Sequence, residues 1–330
     1  MVAPPAPKPG TVPLRPLDLG DIVTGVLATI RRYPGSLYYP LLLVAFGCAG
    51  VFGGCVGLAY AEVGPLPTSG RIPDQQLTHL TLAAVALLVL LLLLATVASA
   101  VATTVSTVVL YHAVLGRQLT FRQAWTRSRA HLGRVLGVQL LVTAASLGIL
   151  VASALPSVLL FLLAGLTAAA YGLLLLIPGL VGAVYLGVRL VLVVPVLVFE
   201  EQRPVAALRR AWRLNRGAWW RSLGFPWVVG LLGEVVVRAG MTVLGMAVSR
   251  FLPSDAFDSG QAEPTSWPSP AGVTLLVVAV CMVVALLMAV RAPLAPLTCG
   301  LLYLDRRLRL EDLGPRIVAA TAGPAGTHGL

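Results

Sequence analysis

Long apolar runs alternate with short basic stretches along the chain, and the length of the runs sets the architecture before anything else is considered. Hydrophobic sequence covers 38–61, 80–114, 135–199, 222–249 and 272–301. A helix crosses a hydrocarbon core in about 20 residues, so every run holds at least one span. Short alternating strands of the barrel kind do not occur, and an all-α polytopic membrane protein is expected. Basic residues gather in four segments: up to residue 37 (Lys8, Arg15, Arg31, Arg32), 115–134, 200–221 and 299–330, which hold 19 of the 24 Lys and Arg. Segment 62–79 carries only Arg71, and 251–271 carries no Lys or Arg but has Asp255, Asp258 and Glu263. The positive-inside rule places the four basic segments in the cytoplasm and these two outside. Both flanks of 135–199 are basic, so that block crosses an even number of times, turning within Ala164 to Gly172 and kinking near Pro178. Six spans result, at about 38–61, 80–114, 135–163, 172–199, 219–250 and 272–301, with both termini cytoplasmic.

Composition agrees with this picture, at 58% hydrophobic and 11% charged residues. A multi-pass integral membrane protein is expected, with a Pro-rich disordered cytoplasmic tail over 1–17 that lacks the features of a signal peptide, and a second disordered tail over 316–330. The formal charge of +11 suggests anionic partners. Its confinement to short segments tethered between spans, without a recognised binding module, points to anionic lipid and excludes nucleic acid. Cys48, Cys55, Cys281 and Cys299 fall within or at the ends of apolar spans with no C-x-x-C spacing, so neither disulfides nor a metal is expected.

The basic segments contain a repeat. Sliding the chain by 87 residues lays RQAWTRSRAHLGRVLG (122–137) over RRAWRLNRGAWWRSLG (209–224), with seven of sixteen positions identical. A weaker relative, LGDIVTGVLATIRR (19–32), has Leu19, Ile22, Val23, Val26, Leu27 and Ile30 at the spacing of one helix face, with Asp18 as its N-cap. Three units are therefore expected, each an amphipathic interfacial helix (about 18–32, 119–130 and 204–216) followed by a helical hairpin, together forming the membrane domain 18–315. In the sharpest copy Leu208, Ala211, Trp212, Asn215 and Trp219 share one side, and Arg209, Arg210, Arg213, Arg216 and Arg221 the opposite arc. Pro204 suits the first turn, Glu200 and Glu201 lie near the positive end of the dipole, and Gly217 can end the helix before Trp219 and Trp220. The candidate lipid-facing residues are Arg122, Trp125, Arg129 and Arg134 in one copy, and Arg209, Arg210, Trp212, Arg213, Arg216, Trp219, Trp220 and Arg221 in the other.

Four charges fall inside apolar runs: Arg189, Glu234, Arg238 and Arg291. An ionisable group there is costly and is a functional candidate by default. Glu234 and Arg238 stand at i, i+4, while Arg189, Glu234 and Arg291 lie at a similar depth, roughly 15–20 Å from the cytoplasmic ends, so a single buried cluster with excess positive charge is expected. Thr96, Ser99, Thr103 and Ser106 form a small polar stripe, and Gly50/Gly54 and Gly53/Gly57 are overlapping G-x-x-x-G pairs that permit close helix approach.

No catalytic constellation is present. His79, His112, His131 and His328 are scattered, His112 reading as an interface residue near Arg117, and no H-E-x-x-H, G-x-S-x-G or phosphate-binding loop occurs. Neither cofactor nor enzymatic activity is expected. Three segments, PLRPLDLGDIVTGVL (13–27), AALRRAWRLNRGAWWRSLG (206–224) and GLLYLDRRLRLEDL (300–313), together resemble a family of bacterial six-helix membrane proteins, frequent in actinobacteria. That family is labelled glycerophosphoryl diester phosphodiesterase membrane domain or domain of unknown function. The resemblance covers roughly 11–315 and implies the six-helix architecture; the phosphodiesterase activity of relatives with an added catalytic domain is not carried over. The expected function is non-enzymatic, with the basic collar meeting anionic headgroups or membrane-protein partners. The alternative is a transporter or channel for an anionic or amphiphilic solute using Arg189, Glu234 and Arg291.

Overall fold

The computed structural model describes residues 17–63, 74–172, 174, 176–200, 202–217, 219–250 and 270–310, and every regular element among them is helical. The two tails, most of 62–79 with Arg71, and the acidic segment with Asp255, Asp258 and Glu263 lie outside the described residues. The helices are α1 (Leu19–Arg32), α2 (Pro34–Val63), α3 (Asp74–Val114), α4 (Phe121–Gly172), α5 (Leu176–Arg189), α6 (Val193–Phe199), α7 (Pro204–Leu214), α8 (Trp219–Ser249), α9 (Pro270–Arg291) and α10 (Leu294–Leu310). Among the described residues six helical stretches are long and apolar enough to cross a membrane.

The helix ends follow local chemistry. Asp18 is the N-cap of α1, and its backbone N–H donates to Asp21 Oδ2 at 3.3 Å. Pro204 occupies the first turn of α7, where its missing N–H costs nothing, and Gly217 takes φ 77 beyond the helix end. Gly165 takes φ 78 and ψ −170, a glycine conformation that breaks helical geometry inside the expected turn window. Pro178 introduces no kink; it stands in the first turn of α5.

Three of the sequence boundaries are drawn differently. The expected helix 119–130 is not separate, because α4 begins at Phe121 and runs on into the apolar block. The repeat explains why: where the second copy has Gly217 the first has Ala130, which keeps helical geometry. The expected span 172–199 is broken at 190–192, ahead of Pro195 in the first turn of α6. The expected span 272–301 is broken at Ala292–Pro293. Gly217→Ala is accordingly expected to strain the turn after α7 and cost about 1 kcal/mol, measurable as a fall in thermal midpoint of a few degrees.

The contacts divide the chain into two compact units that cut across the three sequential repeats. The first comprises 1–37, 103–229 and 294–330; the second comprises 38–102 and 230–293, so α2, α3 and α8 contribute residues to both. In the first unit Leu17, Ile22, Leu110, Leu192, Leu197, Leu297, Leu301 and Leu302 are fully buried. Each such side chain contributes on the order of 1.5–3 kcal/mol relative to exposure. A Cβ on Gly300 would collide with Leu110, and one on Gly179 with Ser153, so α10 meets α3, and α5 meets α4, at close range. In the second unit Gly50, Gly53 and Gly57 face Met282, Val278 and Thr274 of α9, whereas nothing lies within 4 Å of a Cβ on Gly54. One side of the overlapping glycine pairs makes the approach and the other does not.

Candidate functional site

The repeat is first of all a packing pattern. Within the first unit Ala124, Ser128 and Val135 of one copy are buried, and so are Ala211, Asn215 and Ser222 at the matching positions of the other. Two outward positions match as well: Arg122 and Arg129 of α4 are exposed, as are Arg209 and Arg216 at the corresponding positions; Arg134 and Arg213 are also exposed, though Arg134 corresponds to the half-buried Arg221 and Arg213 to Thr126. Trp125 is half-buried, Trp212 stands at the edge of exposure, and Trp220 is 78% exposed.

Two amphipathic helices expected to lie free at a membrane interface direct their apolar faces into protein instead. On α1, Ile22, Val26 and Thr29 are buried, and the helix packs on α10. On α7, Ala207, Ala211 and Leu214 are buried against α6 and α4. Asn215, placed by the helical wheel on the apolar side, is fully buried: its Nδ2 donates to Val188 O at 2.6 Å and its Oδ1 accepts from Ser222 Oγ. A single apolar stripe satisfies either environment, so the wheel does not distinguish them.

Of the second-copy arginines, Arg210 and Arg221 are engaged inside the protein. Arg210 Nε reaches Glu200 Oε2 at 3.2 Å, and Tyr303 Oη donates to Glu200 Oε1 at 2.7 Å. Glu200 therefore meets a side chain of α7 and one of α10, while Glu201 lies outside the described residues. His112 is buried rather than interfacial: its Nε2 accepts from Arg127, so Nδ1 carries the proton it gives to Val108 O at 2.9 Å.

The charges in apolar runs are distributed over both units. In the second unit Glu234 pairs with Arg238 at 3.1 Å and with Arg291 at 3.6 Å. Arg189 belongs to the first unit, where its guanidinium lies 5.1 Å from the ring centroids of both Tyr185 and Trp212. Its Nε donates to Tyr185 Oη at 2.9 Å and its Nη1 to Asn215 O at 3.5 Å. Arg189 and Arg291 are the last residues of α5 and α9, so each sits at a helix break where a cation suits the negative end of the dipole.

Sequence reasoning passed over the most deeply buried charged group among the described residues, in LYLDRRLRL. Asp305 is fully buried; its Oδ1 accepts from Leu17 N–H at 2.9 Å and from Arg309 Nε at 2.8 Å, and its Oδ2 lies 3.7 Å from Arg221 Nη2. Arg221 Nη2 also donates to Leu17 O at 3.0 Å, so both polar groups of the Leu17 backbone are held. Arg306 and Arg307 are buried beside it, Arg307 donating to Tyr303 Oη at 3.2 Å. The available signal was Asp305 and Arg309 at i, i+4.

With the geometry in place, comparison with known proteins identifies the chain as a member of a family of unknown function, DUF7544, whose model matches residues 35–301. The match lends no support to the phosphodiesterase label that the resemblance implied. Neither a curated protein nor a solved structure matches.

Proposed function

We propose that this is a non-enzymatic multi-pass protein of a bacterial plasma membrane that binds anionic lipid headgroups, and membrane partners presenting similar charge, through its exposed arginines. Leu82, Leu88 and Leu92 on α3 and Leu155, Leu159 and Leu162 on α4 are each more than half exposed, which supports hydrocarbon rather than water around them. The observation that carries the reading is the set Arg122, Arg129, Arg134, Arg209, Arg213 and Arg216: all are exposed, and among the described residues none makes an ion pair. Trp212 and Trp220 lie in the same copy of the repeat, the composition favoured at a headgroup level. Each such arginine near an anionic leaflet contributes about 1 kcal/mol.

Native mass spectrometry of protein from mixed phosphatidylglycerol and phosphatidylcholine nanodiscs tests this. The Arg209→Gln/Arg213→Gln/Arg216→Gln variant should retain roughly tenfold less phosphatidylglycerol at unchanged thermal stability; equal retention would refute the proposal. The transporter reading built on Arg189, Glu234 and Arg291 has less behind it, because Arg189 makes its bonds to Tyr185 and Asn215 while Glu234 is engaged by Arg238 and Arg291.

A further inference from the structure

We propose that the three arginines around Asp305 form a binding site for a phosphate-class oxyanion, with one edge of the Arg306 guanidinium as its bidentate donor. Arg306 is 9% exposed, and among the described residues its buried Nε and Nη2 have no hydrogen-bond partner. Those two nitrogens share one edge of the planar group, the fork that receives two oxygens of one phosphate or carboxylate. A desolvated guanidinium with two idle donors is costly, and such an edge in a folded protein calls for an acceptor.

The neighbouring carboxylate does not supply it. Asp305 Oδ1 is occupied by Leu17 N–H and Arg309, and Oδ2 stands over Arg221 without a hydrogen bond. The charged groups acting on Arg306 are Asp305, Arg221 and Arg309. Among the described residues the guanidinium groups of Arg221, Arg306 and Arg309 meet one carboxylate, an excess of two positive charges that matches an oxyanion carrying one or two negative charges. Arg221 and Arg309, with side chains 32% and 35% exposed, form the solvent-facing side of the cluster, while Asp305 is sealed. The site uses none of Arg209, Arg213 or Arg216, so it stands or falls separately from the lipid-binding face.

A lipid phosphodiester and a free phosphate present the same oxygens, so the test has two arms on the full chain. In phosphatidylcholine nanodiscs, thermal unfolding is compared in sodium phosphate and in sodium chloride of equal ionic strength. In nanodiscs containing phosphatidylglycerol without free phosphate, unfolding and retained lipid are measured together. Wild-type protein should gain roughly 5 °C in at least one arm at a hundredfold excess over Kd. Arg306→Gln should bind at least about tenfold more weakly. A response to free phosphate alone identifies a soluble anion, and a response to phosphatidylglycerol alone identifies a headgroup. Because Arg306→Gln removes an unpartnered buried charge, it should unfold without ligand at or above the wild-type temperature. Arg306→Lys, which keeps the charge and loses the fork, should also bind more weakly. No stabilisation of the wild type in either arm, or wild-type binding by both variants, would overturn the proposal.

Discussion

Asp305→Ala is expected to destabilise the first unit by roughly 3–5 kcal/mol, the range for deleting one member of a buried charge pair. The size follows from what the carboxylate holds. It accepts from the Leu17 backbone and from Arg309, and its other oxygen lies 3.7 Å from Arg221, with no exposure of its own. Its removal leaves a buried N–H without an acceptor and three arginines without their counter-charge. The thermal midpoint in detergent should fall by about 10 °C. Asp305→Asn, which keeps an acceptor for Leu17 N–H and loses the charge, should fall between wild type and alanine. A wild-type midpoint for the alanine variant would remove Asp305 from any structural role.

In the second unit the largest effect is expected at Gly53. A Cβ there would stand 3.0 Å from Val278 Cγ2 and 3.1 Å from Val278 Cα, and a backbone atom of a packed helix cannot rotate away. Gly53→Leu should therefore separate α2 from α9 and cost about 1–3 kcal/mol. Gly54→Leu is the matched control, since nothing lies within 4 Å of its Cβ. Chemical unfolding of the two variants, read by fluorescence or protease resistance, gives the comparison; equal midpoints would show that the glycine face is not a packing seam.

The helical architecture was legible because it rests on composition over long windows, and a run of about 20 apolar residues has few structural options. Gly217 and Pro204 were legible for a local reason: one supplies a positive φ and the other a fixed one. The helix breaks before Pro195 and at Pro293 were visible as prolines but masked by apolar sequence on both sides. The buried faces of α1 and α7 were not legible at all, since burial in protein and burial in hydrocarbon select the same residues. The site suffered most from distance. Leu17 and Asp305 are 288 positions apart, and no periodicity connects them. Arg189 was legible as a charge in an apolar run, but its bonds to Tyr185 and Asn215 were not, because depth along a helix carries no azimuth.

The bond from Leu17 to Asp305 also dictates a timetable. The ribosome releases α1 well before α10, and at ~5–20 residues per second the interval between them is roughly a quarter of a minute to a minute. Throughout it, Ile22 and Val26 have no α10 to cover them, and Arg221 has no Asp305 to face. The first unit therefore closes only once α10 has been made, and a chain that stalls before Leu294 presents an uncovered α1 face and an unneutralised Arg221 to the cell's quality control.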